Sequence, residues 1–337
     1  MKNLPLILLL CVSAFASAQA TDSAAHYLRL GKQEMDAKRY LIASRNFEKS
    51  LTFSPENIEA IMHNGYAYLE MRKLHPAMES FKKVNSLQPS NAEAIEQLTN
   101  LYFNFRQYDK AIEMARKCRQ CGNAKRIIGL SQYQLENFPE AEKELMKALE
   151  ANGDDAEVAY TLGRNYLDME EYNRAIPYYE KAVLIDPTKS LWMYELGLIY
   201  YNQAQYKPAV IMFDKAAAAG YVQSNDFKEN FGFAALYAGD TERGETLLLE
   251  VIRKKPGNTE ILMGLAEILY QQKKFDKSLE YCQQMLEKNP NNGKALYQAG
   301  LNFQKKGEKD RGQQMCDKAI EMDPSLASLR KKKEMPF

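Results

Sequence analysis

Cys118-Arg119-Gln120-Cys121 is the chain's one Cys-x-x-Cys motif, a spacing used by redox dithiols and by half of a zinc site. A zinc site needs four ligands, and no second cysteine pair stands elsewhere to complete it. A catalytic dithiol sits at a helix N-terminus, where the helix dipole lowers a thiol pKa. This pair instead closes a helical pattern at its C-terminal end. Two readings remain: a local disulfide, which an exported protein allows, or two packed thiols. Cys282 and Cys316 lie 34 residues apart at one register position and are expected to be buried thiols. Equivalent points on stacked helices are about 10 Å apart, too far for a disulfide. His26, His63 and His75 make no i, i+4 pair of the helical zinc type. Acidic pairs such as Asp154-Asp155 and Glu170-Glu171 fall at helix joints, where solvated charge is ordinary. Gly153, Gly220 and Gly257 are isolated, so no phosphate loop is present, and no Gly-x-Ser-x-Gly elbow occurs. The expectation is a chain with no catalytic residues, no metal and no cofactor, hence not an enzyme.

The bulk properties agree with that. The chain has 337 residues, 45 Lys and Arg against 44 Asp and Glu, and a formal net charge of +1. Such a charge supplies no basic field for nucleic acid. With 26% charged residues and a mean hydropathy of -0.51 it is not a polytopic membrane protein. At 45% hydrophobic it is not a disordered chain either. The length exceeds what one compact core usually serves, which favours several units or a repeat array.

The first residues read as an address. Lys2 precedes an apolar run from Leu4 to Ala14, and small residues follow through Ala16, Ser17, Ala18 and Ala20. This is the pattern of a signal peptide over 1–18, cut after Ala18 or Ala20. Export to a periplasm, a cell envelope or the outside is the expectation. The run is too short for a comfortable membrane span, which takes about 20 apolar residues. Cys11 follows Leu10 where lipidation wants a small residue. No second apolar stretch of membrane length occurs, so the mature chain has no expected membrane span.

The remaining sequence repeats. Gly31, Gly65, Gly129, Gly163, Gly197, Gly232 and Gly300 each precede another small residue by 12 positions: Ala43, Ala77, Ala141, Ala175, Ala209, Gly244 and Gly312. Thr99 with Ala111 and Ala266 with Ser278 fill the gaps. Nine units result, starting at residues 24, 58, 92, 122, 156, 190, 225, 259 and 293. In the unit 156–189, Ala159, Leu162, Gly163 and Tyr166 share one helix face, a turn falls at 170–173, and Ala175, Tyr179 and Ala182 mark a second helix. Six units end in proline, at Pro55, Pro89, Pro187, Pro256, Pro290 and Pro324, which stops the second helix. Asp109, Asn173, Asp276 and Asp310 recur near the start of the second helix and are expected to cap it. The third unit is four residues short, about one helical turn, and a bend is expected at 118–123. Residues 325–334 read as a capping helix, with Leu326 and Leu329 covering the last repeat and Arg330 to Lys333 as a solvated basic tail within 325–337.

These positions together resemble the tetratricopeptide repeat family over about residues 24–326. Met193, Leu196-Gly197, Tyr200, Ala209, Phe213 and Ala216 carry the pattern in one unit, and Ile61, Gly65, Tyr68, Ala77, Phe81, Val84 and Pro89 in another. Lys125, Lys228 and Ala115 depart from it. The resemblance implies an all-α solenoid of nine antiparallel helix pairs in a right-handed superhelix, whose concave groove holds a peptide or partner protein. First helices in the family line that groove, which here assigns Tyr160, Arg164, Tyr194, Leu198, Tyr201, Phe233, Tyr237, Tyr270 and Tyr297 as partner-binding candidates. Tyr suits such a surface because it joins apolar area to a hydrogen-bonding tip. The fifth positions of the nine first helices contain no Lys, so the family's two-carboxylate clamp is not expected. Two roles follow: a binding scaffold, or an accessory protein for envelope complex assembly or secretion.

Overall fold

The structure is a computed structural model that describes residues 21–118, 121–255 and 259–329. The expected signal peptide, Pro256 and the basic run 330–333 lie outside them. No strand occurs among the described residues. The chain divides into two compact units, one up to Ile185 and one from Asp186 onward.

Among the described residues the first unit holds ten helices. Residues 21–36 form α1. Then come α2 (Tyr40–Phe53), α3 (Ile58–Glu70), α4 (Leu74–Leu87), α5 (Ala92–Asn104) and α6 (Tyr108–Lys117). They are followed by α7 (Ala124–Gln134), α8 (Phe138–Ala151), α9 (Ala156–Asp168) and α10 (Tyr172–Ile185). The second unit holds α11 (Ser190–Asn202), α12 (Tyr206–Ala218), α13 (Asn225–Ala238) and α14 (Thr241–Lys254). It continues with α15 (Thr259–Gln271), α16 (Phe275–Lys288), α17 (Gly293–Lys305) and α18 (Lys309–Met322). The expected terminal helix begins as a 3-10 turn, Pro324–Leu326, followed by helical residues 327–329. Leu326 is buried against Tyr297, Cys316 and Ala319 and so covers the end of the last pair.

Odd-numbered helices pair with the even-numbered helix that follows, and the pairing depends on one close approach. In seven of the pairs a glycine in the middle of the first helix faces a larger residue 16 positions later. A Cβ at Gly163 would lie 2.7 Å from Tyr179 Cδ2, and one at Gly300 would lie 2.6 Å from Cys316 Sγ. Any side chain there would push the helices apart. Phe47, Phe81, Leu145, Tyr179, Phe213, Leu248, Cys282 and Cys316 occupy the large position, and all eight are buried. Cys282 and Cys316 are free, buried thiols, and burial pushes the Cys282 thiol up to about 12.

The turns between the two helices of a pair use a left-handed residue every time. Lys38, Arg72, Arg106, Glu136, Glu170, Ala204 and Lys273 have φ between 54 and 62°, with Gly239 at 94° and Gly307 at 99°. The N–H of the next residue reaches back over the helix end, as Lys73 N does to Tyr68 O at 2.8 Å and Glu171 N to Tyr166 O at 2.8 Å. This satisfies carbonyls that the helix leaves without partners.

Helix starts correct the capping expectation. Asp109, Asp276 and Asp310 lie inside the first turn, not at the cap. The N-cap residues there are Gln107, Lys274 and Glu308, and none makes a side-chain cap bond. Asn173 likewise lies inside α10. The side-chain caps stand mainly on first helices: Asn57 accepts from Ala60 N at 3.0 Å, and Asp155, Ser224 and Asn292 do the same for Val158, Phe227 and Ala295. Acids in the first turn still favour the helix dipole.

The short third unit goes with shorter helices on both sides of its joint. The helix α6 has 10 residues against 14 in α4, and α7 has 11 against 13 in α5. Cys118 and Cys121 in the joint are disulfide-bonded, with Cα atoms 5.4 Å apart.

Candidate functional site

The candidate residues sit on first helices, and each unit has its own set. In the first unit, Tyr160 and Arg164 lie one turn apart on α9, both half-buried. Arg164 Nη1 donates to Tyr160 Oη at 3.2 Å, and the Tyr160 ring meets Tyr179 edge-on at 5.5 Å. Next to them Tyr133 of α7 donates to Asp168 at 2.7 Å. The α9 face therefore offers a cation braced by phenols, not a mobile charge.

In the second unit, Tyr194 is half-buried in an aromatic nest. It stacks on Tyr221 at 4.5 Å, with Phe227 at 5.5 Å and Phe213 at 5.7 Å, and its hydroxyl accepts from Asn230 Nδ2 at 3.0 Å. Leu198 is half-buried one turn further along α11. Tyr201 continues that helix and meets Tyr206 at 5.8 Å and Tyr237 at 6.4 Å, while Tyr206 and Tyr237 stack at 4.6 Å. Burial, with Tyr237 beside it, pushes the Tyr201 phenol up to about 12. Tyr237 is the most open of the set, at 41% exposure.

Two candidates are more structural than the sequence implies. Phe233 packs against the buried cluster that runs from α13 to α17 and fills the space that a Cβ on Gly264 would need, 2.7 Å away. Tyr297 is 6% exposed and belongs to the core with Cys316, Ala319 and Leu326. This corrects its expected place on an open stripe, because the terminal cap closes over it. Tyr270 is half-buried beside Phe275 at 5.6 Å, and its buried hydroxyl has no hydrogen-bond partner.

Tyr270, Tyr297 and Leu326 line a cavity of about 590 Å³ between α15, α17 and the terminal cap. Sequence reasoning missed Gln298 and Lys294, which line it too, and Tyr221 and Asn230, which brace Tyr194. Tyr221 stands in a link after the left-handed Gly220, outside any periodic pattern. Gln298 carries a signal that could have been read: it is a polar residue between Tyr297 and Ala299, in the interior register of its helix. Among the described residues no group of His, Cys, Asp and Glu could hold a metal ion, and no helix is long and apolar enough to cross a membrane.

Models of the tetratricopeptide repeat match residues 58–91, 156–189 and 293–326, and a second such model matches 231–293. The human Protein O-mannosyl-transferase TMTC1 is 28% identical over 163 residues, 48% of this chain and 17% of that protein. The chain therefore spans about a sixth of that relative's length. Among solved structures, the C-terminal part of a TPR repeat-containing protein from Cytophaga hutchinsonii matches 71% of this chain and 99% of its own at 17% identity, with a TM-score of 0.54. The TPR protein YrrB, described as having an unusual peptide-binding site, matches 56% of this chain and 97% of its own at 26% identity, with a TM-score of 0.42. Matched repeats in both units, on helix pairs that close over a small residue and turn through a left-handed one, mean that this chain belongs to the tetratricopeptide repeat family.

Proposed function

We propose that this protein is a non-catalytic scaffold that holds a peptide or partner protein on the faces of its first helices. Tetratricopeptide repeats generally mediate protein–protein interactions, and the scaffold type is typically non-catalytic. The observation that carries the reading is the set of half-buried aromatic rings on α9 and α11, Tyr160 and Tyr194, held in place by neighbours rather than collapsed into the core. Rings fixed before binding lose little entropy on capture, which is what recognition surfaces need. The test is a Tyr160→Ala, Tyr194→Ala double variant in partner pull-down with helical circular dichroism. Lost capture with unchanged helicity supports the site, and unchanged capture removes it.

The same reading places the protein outside the cytosol, in a periplasm or envelope, as an interaction platform or an assembly accessory. Two features support export: the signal-type N-terminal pattern, and the bonded Cys118–Cys121 pair, since disulfides persist in oxidising compartments. N-terminal sequencing of native protein checks it. A mature start at Gln19 or Thr21 is expected, and an intact Met1 on cytoplasmic protein overturns it.

A further inference from the structure

We propose that the edge of the first unit formed by its first three helix-pair turns docks on a bilayer carrying anionic phospholipid, with Leu41 and Ile42 entering the headgroup layer. Three observations carry it. The left-handed residue of those turns is Lys38, Arg72 and Arg106, with φ of 57, 56 and 56°. Glycine takes that backbone with less strain, so the turn itself does not call for a cation. Lys73 stands beside Arg72, and all four cations are exposed. Among the described residues no ion pair involves any of the four. Leu41 and Ile42 follow the first of these turns, in the first turn of α2, and are 49% and 46% exposed.

The acids of this edge are mostly engaged. Arg39 Nη2 donates to Glu34 Oε1 at 2.9 Å, and Glu70 accepts from the Tyr40 hydroxyl. Asp109 lies in the first turn of α6, where it favours the helix dipole, and Lys110 beside it offsets its charge. Asp36 is the acid that remains near Lys38. Each helix packs on the next, so the three turns stand in one row, about 10 Å from turn to turn. The fourth and fifth turns carry Glu136 and Glu170 at the same left-handed position, which bounds the basic row. An open row of cations fits an extended anionic surface better than an enclosed ligand. A soluble polyanion would neutralise the cations and leave Leu41 and Ile42 in water. A bilayer takes both, phosphates on the cations and the two aliphatic side chains at the acyl boundary. Each cation close to an anionic leaflet raises affinity about fivefold.

The probes are phosphatidylglycerol vesicles, phosphatidylcholine vesicles and heparin, with the full-length protein in co-sedimentation. The neutral vesicles set the baseline for whatever the apolar run Leu4 to Ala14 contributes. Wild type is expected to prefer the anionic vesicles by more than about tenfold, and to lose that preference as salt rises. The Lys38→Gly, Arg72→Gly, Arg106→Gly protein keeps a residue suited to each turn. Its thermal midpoint is expected at or above wild type, and its anionic binding roughly a hundredfold weaker. Should its midpoint fall, Arg72→Gln with Lys73→Gln carries the test. Leu41→Ser with Ile42→Ser is expected to weaken vesicle binding about tenfold at unchanged helicity. Lys273→Gly changes the same turn position in the second unit and is expected to bind as wild type. No preference for anionic vesicles, wild-type binding by the triple variant, or an equal loss in Lys273→Gly overturns the proposal. Wild-type vesicle binding by the Leu41→Ser, Ile42→Ser protein also overturns it, and heparin binding lost in the triple variant would then mark the row as a site for a soluble polyanion. None of these residues is among the partner-binding candidates, so partner pull-down by the triple variant is expected to match wild type whichever way the scaffold reading falls.

Discussion

Ala204 occupies a left-handed backbone position at φ 54°, in the same place as Gly239 and Gly307 in other turns. A side chain there costs about 1–2 kcal/mol relative to right-handed geometry. Glycine avoids the clash and gives back part of the gain as unfolded-state entropy. Ala204→Gly is therefore expected to stabilise the protein by about 0.5–1 kcal/mol, read as a higher midpoint in thermal or urea denaturation. An unchanged or lower midpoint would mean the turn already relaxes around Ala204. The turn's location was legible from the small-residue register. Its left-handed residue was not, because Lys, Arg, Glu and Ala at that position carry no local signal for positive φ. Tyr201 offers a second residue-scale test. Burial holds its phenol protonated up to about 12, above the ordinary value of 10.0. The unfolded chain loses that proton first, so Tyr201 favours folding fully below pH 10, and its contribution fades as pH rises toward 12. Tyr201→Phe should flatten that part of the alkaline stability curve. A curve identical to wild type between pH 10 and 12 would assign the loss to other groups. Among the candidate site residues, Tyr160, Tyr194 and Tyr237 could be placed on first helices from register alone. What register could not show is the terminal cap that buries Tyr297, or the Asn230 that fixes the Tyr194 hydroxyl, since both come from neighbouring elements.

Among the described residues, the joint between α6 and α7 is where the pattern of helix lengths breaks. Elsewhere a second helix of 13 or 14 residues leads into the next first helix through a short link. Here α6 stops after 10 residues, and its C-cap is Cys118, bonded to Cys121. Both sulfurs lie near Ala92 O at the start of α5. The bridge stands where the missing helical turn would have held the chain. Its four-residue loop constrains the unfolded chain by about 2 kcal/mol on the loop-entropy estimate. The Cys118→Ser, Cys121→Ser variant should lose about that much stability and show faster amide exchange at 121–127. Wild type with a reductant should match it, because Cys282 and Cys316 are free and buried in both. Equal stability of oxidised and reduced wild type would mean the joint is held by packing alone. The four-residue deficit was visible in the unit spacing. How it is shared between α6 and α7 was not, because helix length within a unit depends on what the neighbouring pair can still bury.

At the scale of the molecule, contacts run between chain neighbours. In both units each helix packs on the next, and first helices of adjacent pairs also touch, as α5 does with α7 and α15 with α17. Such an array is stabilised by repeat and interface terms that add along one dimension, so a local defect need not unfold distant pairs. The last pair gives the clean case. Its helices approach at Gly300, where a Cβ would meet Gly312 O at 2.7 Å as well as Cys316 Sγ at 2.6 Å. Neither a backbone oxygen nor a buried thiol can yield by a full van der Waals overlap. Gly300→Val should destabilise α17–α18 by about 3 kcal/mol, the upper end of ordinary overpacking costs. Amide exchange should then speed up through α17, α18 and Leu326, which leans on them, while protection of α3 and α4 stays at the wild-type level. If α3 and α4 lose protection to the same extent, the two units unfold as one cooperative body and the nearest-neighbour account fails. If exchange is unchanged everywhere, the close approach at Gly300 is softer than its contacts imply, and the recurring small residue would need another physical reason.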